Sequence, residues 1–416
     1  MRKVFLLLLL IQSIQSVAQG VLEDKIYKEN IKTALIFVEG DELSFPVLNL
    51  SSNKKLKLLF DDLDADIKDY YYTIIHCNAD WTPSDLDPSE YIDGYFEDQI
   101  DQYQSSFNTT VDYTHYTLSL PNDYVKPSLS GNYILKVYDR ANPQEIVFTK
   151  RFMLVESQTQ IETQVKSMAQ SSYFYNDQQL EIKVEYIGSD FYDIGQNLIL
   201  NILKNYNWKQ LLVIDKPDVI HNNEFIYHDF NRLKFKGGNE FHHFNTKNIH
   251  YAGENIQNIS FTNQRYHFQL TEDEDRTFAD YEYKQDINGQ FKVDVTQSNY
   301  PHTESDYAYV YFTLNMDAPV QKGDIYVWGA LSNYNFTHEN KMRYNFEHKA
   351  YECRLLLKQG YYNYRYVLVD NNQPDFTFID GNHVQTENSY NVLVYYHDFR
   401  GNYDRLIGFK QVKSVK

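Results

Sequence analysis

Apolar residues recur at every second position over several short runs of this chain, and that period selects β-strands rather than helices. In "YTLSL" the residues Tyr116, Leu118 and Leu120 share one face, and in "NYILKV" Tyr133, Leu135 and Val137 do the same. Leu180, Ile182 and Val184 alternate in "QQLEIKVEYIG", as do Tyr362, Tyr364, Tyr366 and Leu368 in "QGYYNYRYVLVD". Between the first two runs, "PNDYVKPSLSG" carries Pro121, Pro127 and Gly131, residues that punctuate a turn. The 38 tyrosines point the same way, because aromatic side chains suit a pleated surface. The expectation is an all-β protein with sparse helix.

The chain has 416 residues, and single cores stop growing near roughly 250–300 residues, so more than one domain is required. Three consecutive β-sandwiches of immunoglobulin-like or early-set-like type are expected, over residues 19–156, 157–300 and 301–416. The first closes with "IVFTKRFMLV". The second opens on the polar "SQTQIETQVKS", runs through "NLILNIL" and reaches "FKGGNEFHHFNTKNIHYAG", which has the character of a loop or edge region. The third follows the turn-rich "DVTQSNYPHTESD" and carries "GDIYVWGAL" and "YECRLLL". Irregular strand lengths and connections favour sandwiches over closed barrels. The absence of a fixed repeat argues against a solenoid or propeller.

The first residues, "MRKVFLLLLLIQSIQSVAQG", have the form of a secretory signal peptide: Arg2 and Lys3, an apolar run from Val4 to Ile11, then Ser16, Val17 and Ala18 as a small-x-small cleavage pattern. The predicted signal spans residues 1–18. Its apolar run falls well short of the roughly 20 residues that cross a bilayer. No cysteine follows the predicted cut, so a lipid anchor is not expected and the mature chain should be free in an exported compartment. Losing Arg2 and Lys3 takes the formal charge from −18 to −20, since that stretch contains no acid. So acidic a protein argues against nucleic acid and anionic membrane surfaces as partners.

Chemistry-bearing motifs are few. His76 and Cys77 are neighbours in "YYYTIIHCNADWTPSDL", but on a strand they point to opposite faces and cannot act as a nucleophile and base pair. Cys77 is expected as a small buried apolar group, His76 as a hydrogen-bonded structural residue, and Cys77 and Cys353 as separate from each other. Asp62, Asp64 and Asp66 have the 1, 3, 5 spacing of a calcium loop, yet Ile67 stands where that loop needs glycine and Thr73 where it needs glutamate. His221, His228, His242, His243 and His250 lack any HExxH spacing. The acidic "TEDEDR", residues 271–276, is expected as a solvated turn. No nucleophile elbow, phosphate loop or dinucleotide fingerprint occurs. No catalytic residue, metal ligand, cofactor or small-molecule substrate is expected, and the protein is not expected to be an enzyme.

The ordered stretches "FPVLNL", "LKLLFDDLDADIKDYYYTIIHCNADWTPSDLDPSEYIDGYF", "FNTTVDYTHYTLSLPN" and "LSGNYILKVYD" resemble the type IX secretion system plug proteins. The later "GGNEF", "LTEDEDR", "DINGQF" and "TENSYNVLVYYHDFRGNYDRLIG" extend the resemblance along the mature chain, with one departure in "GGNEFHHF", where His242 stands in place of an arginine common in that family. The resemblance implies a periplasmic protein that docks on the periplasmic mouth of a giant outer-membrane translocon barrel and blocks it sterically while no cargo complex is engaged. Trp81, Tyr91 and Phe96, in the region after the first motif, are the candidate partner contacts. The final unit also resembles early-set sandwiches that bind glycogen and starch, through "IYVWGALSNYNF", Met342 and "LLLKQGYYNYRYVLVD". That leaves an exported carbohydrate-binding protein as the alternative, with Trp328 as the residue to stack on a sugar.

Overall fold

The computed structural model describes residues 22–167, 176–188, 191 and 194–414. The signal-peptide expectation, residues 1–18, lies outside them. Among the described residues the regular elements are strands, apart from the single-turn α-helices Pro88–Tyr91 and Pro301–Glu304 and three short 3-10 turns.

Two sheets make the first sandwich. One runs Lys25–Ile26, Ile146–Val155, Gly131–Asp139, Tyr70–Cys77 and Glu97–Gln99 in spatial order, with Val47–Asn49 pairing in parallel onto Ile146–Val155. The other runs Ile31–Val38, Leu56–Asp62, Thr114–Leu120 and Gln102–Ser105. The inner faces meet between them: Phe60, stacked at 4.9 Å on its cross-strand neighbour Tyr116, meets Phe148 of the facing sheet edge-on at 5.0 Å, within a core that includes Tyr72, Ile74, Leu118 and Leu135.

The second sandwich pairs a sheet of Thr159–Ser167, Asp177–Tyr186, Glu224–Tyr227 and Val219–His221 with a sheet of Leu212–Ile214, Leu198–Lys204, Ser389–Asp398 and Tyr403–Lys413. Leu180, Ile182 and Val184 face Leu200, Ile202, Val392 and Val394 in its core. The third sandwich is built from strands between His242 and Asp375, with Phe244, Phe312, Tyr362 and Tyr364 in its interior.

The sheets therefore correct the division of the chain at residues 300 and 301. The Ser389–Asp398 strand pairs with Leu198–Lys204 over seven residues, from Tyr396 opposite Leu198 to Tyr390 opposite Lys204. The last two strands complete the second sandwich, and the third is inserted within it. A linear division misses this because antiparallel partners are chosen by burial and register and carry no mark of sequence distance.

The three bodies are packed together. The outer face of the first sandwich's larger sheet (Cys77, Ile134, Met153, Val155) and the loop residues Phe45, Ala79 and Trp81 press on Leu203, Tyr206, Leu393, Tyr395 and Leu406 of the second. Strands between two such layers are buried on both sides, so Ile146–Val155 and Ser389–Asp398 are buried almost continuously where a half-exposed strand would alternate, and the former takes Thr149, Lys150 and Arg151 in with it. Polar bonds close the seam: the Tyr395 hydroxyl donates to Asn132 Oδ1 at 2.7 Å, and Asn201 Nδ2 donates to Ala79 O at 2.7 Å. Between first and third sandwiches, Asp306 accepts from the Thr110 hydroxyl at 2.7 Å and from the Val111 N–H at 3.1 Å, and Tyr113 packs edge-on against Tyr307.

Candidate interaction surface

The structure separates the three candidate contact residues into two buried and one exposed. Trp81 sits in a tight loop after the Tyr70–Cys77 strand, with φ 67° and its N–H donating to Asn78 O at 2.9 Å. It is 1% exposed: its indole meets Trp208 edge-on at 5.0 Å, and the Arg151 guanidinium lies 4.5 Å from one ring and 4.7 Å from the other. Tyr91 is 4% exposed, its hydroxyl donating to Ile74 O at 3.3 Å. Both expectations of partner contact are thereby corrected. The apolar faces behind this loop draw in its largest rings, so Trp81 seals the seam to the second sandwich and Tyr91 the core of the first.

Phe96 is 48% exposed and belongs to a larger patch. Tyr95, beside it, is 64% exposed and stacks on the exposed Tyr124 at 6.1 Å, while the Tyr95 N–H donates to Tyr124 O at 2.7 Å. Gly94 makes this approach possible: at φ 108° a Cβ would stand 2.1 Å from Tyr124 O. A hollow of about 560 Å³ beside the rings is lined by Thr73, Tyr95, Phe96, Glu97, Lys136, Tyr138 and Pro143. Burial and the bond to Glu97 raise the Tyr138 phenol, which stays a neutral donor. Residues 92–105 carry Asp93, Glu97, Asp98 and Asp101 and no lysine or arginine, while Lys136 lines the hollow and Lys126 lies opposite Asp93, so the patch is aromatic with acids on one side.

The remaining chemistry-bearing groups are structural. His76 bonds Ser84 Oγ at 2.9 Å and Ser130 O at 3.1 Å, and burial lowers its pKa to about 4. Cys77 lies in the seam between first and second sandwiches and Cys353 in the third core; burial pushes both thiols up to about 12, leaving them inert. Asp62, Asp64 and Asp66 converge, and the Lys68 ammonium pairs with all three, so the chain brings its own cation to them.

Two buried charge networks escaped the sequence reading. His242 lies with Nδ1 2.9 Å from Asp273 and Nε2 3.0 Å from Asp380; both ring nitrogens face carboxylates, which makes the ring an imidazolium. Burial and the Arg276 guanidinium oppose that charge, and the two carboxylates overcome them, so the His242 pKa is raised. Arg276 donates to Asp380 at 2.8 Å, and the Tyr364 and Tyr366 hydroxyls donate to Asp273 at 2.6 and 2.7 Å. The "TEDEDR" segment is thus corrected from a solvated turn: its Asp273 and Arg276 hold the third sandwich's interior around the His242 imidazolium. In the second network Lys358 Nζ is 2.6 Å from Asp61 Oδ2, Tyr307 donates to the same oxygen at 2.6 Å, and His115 lies 2.6 Å from Oδ1. It crosses from the first sandwich to the third. The signal for it was "LKLLFDD": two consecutive acids ending an apolar strand point to both faces, so one of them must enter the protein.

Trp328 is 1% exposed, packed on Phe376 at 4.9 Å and Tyr334 at 5.2 Å, so it offers no face to a sugar and the carbohydrate expectation loses its residue. A cleft of about 1110 Å³ separates parts of the first and third sandwiches, with Tyr326, Phe336 and Arg354 on its wall and a Lys32–Glu339 ion pair at 3.3 Å among its lining residues.

A multi-sandwich body with ionic interiors and buried thiols defines an all-β protein of several packed domains. The chain belongs to the type IX secretion system plug protein family: the model of the type 9 secretion system plug protein 1st domain matches residues 31–156. It is similar over 95% of its length, and over 100% of the other chain, to a hypothetical protein from Parabacteroides merdae ATCC 43184 whose crystal structure was determined at 2.30 Å, with 34% identity and a TM-score of 0.91. No curated protein matches the chain. The family is one of periplasmic, secretion-related proteins, and no helix among the described residues is long and apolar enough to cross a membrane.

Proposed function

We propose that this protein is a periplasmic plug that docks on the periplasmic mouth of the type IX secretion outer-membrane translocon barrel and seals its pore while no cargo complex is engaged. It is held at the outer membrane through that barrel alone, without inserting into the bilayer. The observation that carries the reading is the interlocking of the three sandwiches. A pore wide enough for folded cargo leaks unless a body of matching size fills it, and a body hinged between domains would flex open. Buried seams such as Trp81–Arg151–Trp208 and Asp61–Lys358 remove those hinges. Sealing is steric, so it needs no catalysis, cofactor or small-molecule substrate. A specific hold buries roughly 800 Å² on each partner, and Tyr95, Phe96 and Tyr124 supply exposed rings for its centre. The strongly acidic chain is guided to a basic surface on the barrel, which makes association slow as salt rises.

The test is to tag the mature protein at its C-terminus, solubilise outer membranes of the native host in mild detergent and identify by mass spectrometry what copurifies. A giant outer-membrane barrel recovered without the cargo-side subunits supports the plug. Recovery of no membrane partner sinks it, and an association rate indifferent to salt removes the electrostatic guidance.

A further inference from the structure

We propose that the outer edge of the Gln102–Ser105 strand receives an extended, lysine- or arginine-bearing segment of the barrel as an added strand, an assignment that rests on the plug reading above. This strand ends its sheet, pairing only with Thr114–Leu120, from Gln102 opposite Thr117 to Ser105 opposite Thr114. The next residue, Ser106, donates its N–H to Tyr113 O at 2.8 Å and accepts the Tyr113 N–H on its Oγ at 3.1 Å, so residue 106 faces the partner strand. In an antiparallel ladder such residues alternate with residues whose backbone groups point away. Tyr103 and Ser105 therefore direct their N–H and C=O groups outward.

The same row is already in use one step further on. Phe107, in phase with Tyr103 and Ser105, donates its N–H to Thr303 O of the third sandwich at 2.9 Å. The edge is thus shown to bond a foreign backbone at one end and lies open at the other two positions. All four residues of the strand are exposed, and none is the proline or lysine that commonly blunts such an edge.

Charge selects the occupant. Asp98 and Asp101, which precede the strand, have no ion-pair partner among the described residues, and no basic residue lies between 92 and 105. A strand-forming segment with alternating cations meets both needs, its backbone on the open row and its ammonium or guanidinium groups on the two carboxylates. The exposed Tyr103 ring, 5.8 Å from Tyr116, gives that segment an apolar surface to lie on.

Three variants of the full mature chain test this in the same copurification, with melting temperature as the control for folding. Ser105→Pro removes an outward N–H and no ladder bond, Ser105→Thr keeps it, and Asp98→Asn/Asp101→Asn removes the charge without touching the strand. The expected result is that Ser105→Pro and the double variant each retain at least about ten-fold less barrel while Ser105→Thr matches the wild type. If the wild type retains the barrel and both weakened variants retain as much, strand addition is overturned and the plug reading stands. Loss with the double variant alone also overturns it, leaving a charge contact. If the wild type itself retains no barrel, the plug reading fails and takes this partner with it.

Discussion

His242 shows how a single side chain links sequence, fold and pH. Its folded pKa is raised above the ordinary 6.5, so its stabilisation is complete below that value and is lost as pH rises through the folded pKa. Asp273 and Asp380 are held below the ordinary 3.8, so theirs is present above that value and lost only as pH falls through their folded pKa values. The network is at full strength between those limits. Urea midpoints measured against pH should fall on the alkaline side for the wild type, and His242→Arg should keep its midpoint there because guanidinium does not titrate. His242→Gln should lose about 3 kcal/mol at pH 5 and show no alkaline decline; an identical pH profile in all three proteins would refute the imidazolium assignment. Lys358 has the opposite balance: burial lowers its pKa below the ordinary 10.5 and Asp61 opposes that shift, so the ammonium rests on this one carboxylate. Lys358→Met strands Asp61 as an uncompensated buried charge and should cost about 3–5 kcal/mol, and adding Asp61→Asn should return part of it. Losses that simply add in a double-mutant cycle would show that the pair is not coupled.

At the scale of strands, the decisive element is Ser389–Asp398, which completes a sheet begun nearly two hundred residues earlier. Deleting residues 389–416 should therefore unfold the second sandwich and spare the third. Amide exchange reads this directly: protection should vanish in Asp177–Tyr186 and Leu198–Lys204 and persist in Tyr307–Asn315 and Gly360–Asp370. Protection surviving in Asp177–Tyr186 would restore the linear division. The strands themselves were legible, since Tyr116, Leu118, Tyr133, Leu135, Leu180 and Ile182 are buried on the faces their alternation assigned. Which strands pair was not, because alternation fixes the face a strand buries and leaves its partner to long-range packing. For the surface, a bulky ring in a polar loop has the same signature whether the loop presents it or folds it inward. Phe96 stayed out because Gly94 turns the chain against Tyr124, whereas Trp81 went in because the seam behind it had room for an indole beside Arg151. The ionic interior around Asp273 was hidden by the acidity of the whole chain, in which that residue looks like any other carboxylate, whereas Asp61 was marked by its place at the end of an apolar strand.

Across the whole molecule, seams join all three sandwiches, so unfolding one uncovers apolar surface on the others. Calorimetry should record one transition whose van't Hoff and calorimetric enthalpies agree, although separate transitions are common in chains of several domains. Three resolved transitions would show that the seams are too weak to hold a body rigid in a pore. The nesting of the third sandwich within the second also sets a timetable. A nascent chain emerges with residue 156 well before residue 389, so the first sandwich can close early while its outer apolar face waits for Leu393, Tyr395 and Leu406. Until those residues arrive, the chain has neither its final outline nor its covered face. The molecule thereby certifies its own completeness, because only a chain made to its last strands acquires the shape that could stop a pore.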